Sequence, residues 1–175
     1  MKQEFEKIQL TENQLKVIKD KYLKNSPTVE SWLYEVAKNI ALSELLYGNK
    51  IPESKIFNDV KYKKVSFSHK NEEYNYYLIH DKFFDHNEKE QNFKKFIENL
   101  YQIAEENPEI IEEATNRFYN LLSNFEFLPN SPTLMNAGRD LQQLSACYVL
   151  SVGDSIEEIY ESVKNMALIH KSGGG

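Results

Sequence analysis

The residues of this sequence with the capacity for chemistry are concentrated near its C-terminus. The chain has a single cysteine, Cys147, and a thiol is a nucleophile, a metal ligand and, with a partner thiol, a redox group. Period-two alternation across residues 144–152 predicts a β-strand. The alternation places Cys147 on one face with Ser145 and Ser151. A thiol beside hydroxyls is compatible with polar chemistry. The alternative interpretation is that this lone cysteine is an ordinary small apolar residue of a strand.

Three further polar segments flank this predicted strand. Asp154 is followed three residues later by Glu157, a spacing typical of a helix N-cap. The alternative is that Asp154 contacts a ligand. Residues 130–133, Asn-Ser-Pro-Thr, form a turn that bonds its own backbone or a binding loop. Residues 172–175, Ser-Gly-Gly-Gly, are a flexible linker or a loop whose backbone amides approach an anion.

Histidine spacing predicts no metal site. The four histidines show no ligand spacing apart from a loose pair in a charged stretch, and we expect them to be solvated. One cysteine is also too few for a cysteine-rich zinc site. These histidines are His69, His80, His86 and His170.

Five helices are predicted to position these residues, from apolar spacing and terminal signals. The first starts at Thr11, where Gln14 completes a capping box, and runs to about Leu23. The second follows Thr28 and carries its apolar stripe as far as Leu45. The other three begin near Phe93, at Pro108 and after Asp154 or Ser155.

Three stretches are predicted to be non-helical. Alternating β-rich residues across 60–80 predict a hairpin around a polar turn. Residues 85–91 are a charge run that we expect to be solvated. Residues 127–143, rich in Pro, Asn, Ser and Gly, are typical of an ordered loop, which leads directly into the strand that carries Cys147.

Composition excludes several classes of protein. Hydrophobic residues make up 41% of the 175-residue chain, which is typical of a globular fold. A net charge of −6 argues against nucleic acid or an anionic membrane as partner, because phosphate binding needs clustered Lys and Arg. The sequence contains no apolar run long enough for a membrane span and no apolar signal core, so we expect a cytoplasmic protein.

The segment FLPNSPTLMNAG, followed by LSACYVLSVGDSIEEIYESVKNMALIHKSGGG, resembles the start of the catalytic domain in class II, adenosylcobalamin-dependent ribonucleotide reductases. The stretches KDKYLKN and ALSELL resemble the helical N-terminal domain of these enzymes more weakly. In this family the helical domain precedes a ten-stranded α/β barrel. The resemblance therefore implies a mainly α chain, with the helical domain at residues 1–126 and the truncated start of the barrel, its first strand and helix, at residues 127–175.

The resemblance also implies roles in the making of deoxyribonucleotides. In the family, a thiyl radical abstracts the 3′ hydrogen of the ribose, the 2′ hydroxyl leaves as water, and a cysteine pair delivers the electrons. Cys147 matches the first member of that redox-active pair. Ser131 matches the loop that holds the substrate's phosphate end, and the backbone of Ser145 and Ala146 would line the ribose.

Regulation, cofactor and partners are implied in the same way. Asp154 matches the acid that contacts the deoxynucleotide effector, and Lys171 lies where a basic residue would meet the effector's phosphates. Adenosylcobalamin would be bound mainly by the part of the enzyme that follows Gly175, and a thioredoxin-like protein would act as reductant. The radical cysteine and the second reducing cysteine would also follow Gly175. The chain alone is therefore expected to be inactive, whether a split gene, an intein or a truncation accounts for its end.

Two alternatives remain open at this point. One is a non-catalytic remnant, or a helical module that binds partners or effector nucleotide without chemistry. The other is the large subunit of a class I, di-iron-dependent reductase, because the motifs PNSPTLMNAG and HKSGGG are what favour class II.

Overall fold

The structure is a computed structural model that describes residues 5–47, 51–70, 72–79, 86–140 and 142–175. Two compact units are present, one formed by the residues up to Ile40 together with Ala114–Gly175, and the other by Ala41–Glu113. The described elements, in chain order, are α1 (Glu12–Ile18), α2 (Val29–Ala41), α3 (Glu44–Tyr47), α4 (Glu53–Ile56), β1 (Lys63–His69), β2 (Glu72–Leu78), α5 (His86–Glu106), α6 (Pro108–Ser123), α7 (Ser131–Asn136) and α8 (Ile156–Lys171). The mainly α prediction is confirmed.

The first unit is built around one face of α2. Its buried cluster combines that face with residues of α6, α7 and the turn after α7. Burying apolar side chains in this way is the main stabilising term of a fold. The cluster contains Val29, Trp32, Leu33, Val36, Ala37, Leu122, Leu134 and Ala137.

The first helix forms as predicted but ends in an unpredicted conformation. Thr11 caps α1, and Gln14 completes the capping box from both sides. The chain then continues as a five-residue π-helix, Lys19–Leu23, and Lys24 follows with a positive φ of 46°. Short π-helical turns are frequent at functional sites, so the residues of this turn are candidates for a functional role.

Helix α2 is shorter than predicted. It ends at Ala41, and Leu45 lies in the separate helix α3. Between them the amides of Leu45 and Leu46 bond to the carbonyls of Leu42 and Ser43, three residues earlier. This tighter turn interrupts the α-helical bonding, although the apolar stripe continues through it.

The second unit contains the predicted hairpin. β1 and β2 pair antiparallel, with Val65 opposite Tyr76 and Phe67 opposite Tyr74. Glu53 of α4 accepts hydrogen bonds from Lys64 Nζ at 2.8 Å and from the Tyr62 hydroxyl at 2.9 Å. The hydrogen bond from Lys64, and then that from Tyr62, lowers the pKa of the Glu53 carboxyl. His80, at the predicted end of the hairpin, lies outside the described residues.

The charge run at 85–91 was predicted to be solvated and non-helical. Glu88, Glu90 and Gln91 are exposed, as predicted, but the run is helical from His86 onward. Residue 85 lies outside the described part, but α5 begins at His86 and includes the rest of the run. Glu, Lys and Gln are good helix formers, so polarity here reflects helical positions that face solvent. The Asn107-Pro108 signal is confirmed, since α6 begins at Pro108.

No helix in the described residues is long and apolar enough to cross a membrane.

Candidate functional site

Ser131 is the first residue of a short helix rather than part of a loop. The Asn130 side chain caps α7 and accepts from the Thr133 amide at 3.0 Å. Pro132 lies in the first turn, where its missing N–H costs nothing. The prediction of an ordered loop across 127–143 is therefore wrong at α7, and an Asn cap followed by proline was the signal that pointed to a helix start.

Side chains from the N-terminal helices hold α7 in place. The Trp32 Nε1 group donates to the Leu134 carbonyl at 2.8 Å, in a buried position. The Tyr22 hydroxyl lies 3.0 Å from the Ser131 hydroxyl. These contacts hold α7 at its first residue and at Leu134 in its interior.

Arg139 connects the end of α7 to the π-helical turn. Its Nη2 group donates to the carbonyls of Tyr22 and Leu23 at 3.3 and 3.2 Å, and contacts the Ser26 hydroxyl at 3.4 Å. Carbonyls at a helix C-terminus lack helical partners and need donors. Arg139 supplies them from a position more than 110 residues later in the sequence.

Two buried side chains of α7 then hold the segment that leads to Cys147. The Thr133 hydroxyl donates to the Leu144 carbonyl at 2.8 Å, and Asn136 Nδ2 donates to the Gln143 carbonyl at 2.8 Å. Both are buried polar residues, and such groups are costly to leave unpaired. The predicted site residues Ser131 and Cys147 are thus joined by a short, hydrogen-bonded frame.

The segment around Cys147 is not a β-strand, and the prediction of a strand across 144–152 is wrong. Among the described residues this segment has one backbone pairing: the Gly175 amide donates to the Ala146 carbonyl at 2.8 Å, and the Tyr148 amide donates to the Gly175 carbonyl at 2.7 Å. These two bonds flank Cys147 in the pattern of a single parallel bridge. One bridge does not make a strand, because a strand needs a ladder of bonds to a neighbour.

The exposure of this segment also differs from the predicted alternation. Ser145 and Cys147 are exposed, and Leu144 and Ala146 are half-buried, as alternation requires. From Tyr148 to Val152 both sets are exposed, and Val149 is 99% exposed. Cys147 carries a free, exposed thiol. Its accessibility is compatible with redox chemistry, and its role stays a prediction.

The predicted effector residues lie at opposite ends of α8. The N-cap is Ser155, which forms a capping box with Glu158. Asp154 is therefore free of the capping role, and it is exposed. Lys171 is the last residue of α8, about 25 Å from Asp154 at 1.5 Å per residue. The structure does not bring these two residues together.

Ser172 is the C-cap of α8, and Gly173 and Gly174 complete the capping motif after it. Gly173 has a φ of +86°, its amide bonds to the His170 carbonyl at 3.0 Å, and the Gly174 amide bonds to the Ile169 carbonyl at 3.1 Å. This is the Schellman arrangement, in which glycine supplies the left-handed residue. The cap turns the chain so that Gly175 reaches Cys147's neighbours.

We expect Gly174→Ala to weaken the pairing of Gly175. A Cβ at Gly174 would lie 2.7 Å from Tyr148 Cε2 and 2.9 Å from Ile169 Cγ2, so the ring has to move. Hydrogen exchange of the Tyr148 and Gly175 amides is expected to speed up at least about tenfold. Gly175→Ala is the matched control, because its Cβ would meet only the Ala146 carbonyl, at 3.6 Å. Equal exchange in both variants would show that the close contact is unimportant.

Other features of the surface do not involve the predicted site residues. One groove of about 770 Å³ is lined by Phe5–Gln9 and the C-terminal half of α6. A second, of about 410 Å³, lies beside Glu53 and the hairpin. In the described part of the chain no group of three or more His, Cys, Asp or Glu residues is placed to hold a metal ion. His80 is outside that part.

Sequence reasoning missed the residues that build the frame. Tyr22, Trp32, Asn136 and Arg139 were given no role in a site. Thr133 was noted only as a member of the 130–133 segment. The local signal for them was the high density of polar residues in the segment 127–143. Their partners are far away in sequence, so local patterns do not reveal them.

This fold and frame are those of a helical domain leading into a polar, cysteine-bearing segment, and comparison with known proteins identifies the family. A family model described as "Ribonucleotide reductase, all-alpha domain" matches residues 8–142. The chain belongs to this family. No solved structure gives a significant match.

Individual relatives are ribonucleotide reductases of more than one kind. The chain is 70% identical over 60 residues to a vitamin B12-dependent ribonucleoside-diphosphate reductase of Thermoplasma acidophilum, covering 34% of this chain and 8% of that protein. It is 51% identical over 59 residues to the protein of that name in Mycobacterium tuberculosis, with 34% and 8% covered. It is also 55% identical over 58 residues to the ribonucleoside-diphosphate reductase large subunit of Danio rerio, with 33% and 7% covered. The matched region is therefore less than a tenth of each relative.

Proposed function

We propose that this chain is the N-terminal part of a ribonucleoside-diphosphate reductase catalytic subunit, active only together with the remaining barrel. The observation that carries the proposal is the frame in which α7 joins Ser131 to the exposed Cys147 thiol. A phosphate-binding hydroxyl and a reducing thiol have to be held at a fixed separation to act on the phosphate and the ribose of one nucleotide. Residues 127–175 would be the start of the barrel, and residues 1–126 the helical domain.

In the proposed reaction Cys147 supplies half of the reducing equivalents. A thiyl radical on a cysteine of the remaining part takes the 3′ hydrogen of the ribose and later returns a hydrogen there. The 2′ C–O bond breaks, and the hydroxyl leaves as water. Cys147 and a second cysteine together give up two electrons and two protons and form a disulfide, so the balance is closed. A thioredoxin-like protein then reduces that disulfide.

The exposed apolar surface of the C-terminal segment supports the need for the remaining barrel. α8 has no buried residue, and large apolar side chains before and along it are exposed. Parallel barrel strands are normally covered on both faces, and a contiguous exposed apolar surface marks an interaction site. The exposed residues are Tyr148, Val149, Leu150, Val152, Ile156, Ile159, Tyr160, Val163, Met166 and Leu168.

Cofactor and regulation follow from the same proposal. Two of the relatives compared above are named vitamin B12-dependent, which favours adenosylcobalamin over a di-iron subunit. We assign no residue of this chain to cobalamin, so the cofactor would be held by the remaining part. Asp154, exposed before α8, would contact the deoxynucleotide effector. Lys171 is at the other end of α8, so it would contact effector phosphates at a position separate from that of the Asp154 contact. The enzyme would work in the cytoplasm.

Reconstitution tests the proposed function directly. The chain is combined with the remaining barrel of the reductase, as a second polypeptide or as one continuous chain, and deoxyribonucleotide formation is measured with adenosylcobalamin and a dithiol. Each part alone is expected to give no product, and the combination is expected to give turnover. If the combined parts bind each other but form no deoxyribonucleotide, the reductase proposal is wrong, and a non-catalytic binding module becomes the better explanation.

A further inference from the structure

The hydroxyl of Tyr22 is fixed against the hydroxyl of Ser131. The two oxygens are 3.0 Å apart, although the residues are 109 positions apart in sequence. The Tyr22 ring is half-buried, and its centroid lies 5.7 Å from that of the buried Trp32. Since Trp32 itself bonds to the Leu134 carbonyl, the ring and α7 are held by the same side chain.

The backbone at Tyr22 is fixed as well. Tyr22 lies within the π-helical turn, and its carbonyl and that of Leu23 accept from Arg139. Lys24, with its positive φ, donates from Nζ to the Met135 carbonyl at 3.2 Å. Strained or π-helical backbone of this kind persists only where its surroundings hold it, and it is common at functional sites.

We propose that Tyr22 is a positioning residue for the substrate-phosphate contact of Ser131. The proposal rests on the proposed function, in which Ser131 binds the phosphate end of a ribonucleotide. A phenol is a better donor than an aliphatic hydroxyl, so Tyr22 donates to Ser131 Oγ. The Ser131 O–H is then left to donate to a phosphate oxygen, and the two bonds in series strengthen each other. Ser131 is exposed, as a residue that meets substrate has to be.

The test uses the assembled reductase and a double-mutant cycle. Tyr22→Phe keeps the ring on Trp32 and removes only the hydroxyl. It is expected to raise the KM for the ribonucleotide roughly three- to tenfold, the size of one lost hydrogen bond, with kcat within about twofold of wild type. Ser131→Ala is expected to raise KM at least as much. In the Ser131→Ala background, Tyr22→Phe is expected to have no further effect.

Tyr119→Phe is the matched control. Tyr119 is a partly buried tyrosine of the same unit whose ring contacts Phe5 and Tyr34, and the change is expected to leave KM unaltered. An active wild-type enzyme with an unaltered KM in Tyr22→Phe, or with an equal effect in the Ser131→Ala background, overturns the positioning role alone. An unaltered KM in Ser131→Ala also overturns it. An inactive wild-type assembly overturns the proposed function, and the Tyr22 proposal with it.

Discussion

Replacement of Cys147 with serine is expected to abolish ribonucleotide reduction by the assembled enzyme. Serine has nearly the same shape but does not form a disulfide, so the electron pair needed for each turnover is not delivered. Turnover is expected to fall to below about one thousandth of wild type, as when one member of a catalytic set is removed. The measurement is deoxyribonucleotide formation by wild-type and Cys147→Ser chains, each combined with the same remaining barrel.

Exposure of the thiol makes this variant easy to interpret. Cys147 is a free and exposed cysteine, so its replacement removes no buried contact and the isolated chain is expected to keep its circular dichroism and melting temperature. Thiol titration serves as the control, with one reactive group in the wild-type chain and none in the variant. A Cys147→Ser enzyme that binds the remaining barrel normally and retains turnover would exclude this cysteine from the reducing pair.

Local signals in the sequence were sufficient for most of the elements. The capping box at Thr11 and Gln14 is present as predicted, and so is the proline that begins α6. The hairpin prediction within 60–80 is confirmed by β1 and β2. Each of these features depends on residues close together in the chain, because caps, prolines and alternation act over a few positions.

Features that depend on distant partners were not predicted. The π-helical turn is bonded by Arg139 from beyond α7, and no local pattern contains that contact. The strand prediction at 144–152 was wrong for a related reason. Alternation describes a surface that suits a sheet, but the only backbone partner that the described residues offer this segment is Gly175.

The predicted site is therefore only partly determined by this chain. The frame that links Ser131 to Cys147 lies within one unit. Its hydrogen bonds account for the defined geometry of residues 130–140 and 142–147. The roles of Asp154 and Lys171 remain predictions, since α8 keeps them apart. The frame itself is testable without any catalysis, through the buried tryptophan that donates a hydrogen bond to α7.

Replacement of Trp32 with alanine is expected to cost about 3–5 kcal/mol of unfolding free energy, the range for removing a large buried ring. Trp32 is 4% exposed and lies in the buried cluster with Leu134. Trp32→Phe keeps most of the ring volume and loses the Nε1 hydrogen bond to the Leu134 carbonyl. This second change is expected to cost about 1–3 kcal/mol, because the carbonyl is left buried without its donor. Urea unfolding followed by circular dichroism measures both.

The comparison of the two variants separates packing from anchoring of α7. If Trp32 anchors α7 through its hydrogen bond, Trp32→Phe speeds hydrogen exchange in residues 131–136 more than in α2, although the ring remains. Val17→Ala is the control, since Val17 is 49% exposed and surface changes stay within about 0.5 kcal/mol. Exchange that rises equally in α2 and α7 would mean that Trp32 acts only as a core residue, and that Thr133, Asn136 and Arg139 hold the frame without it.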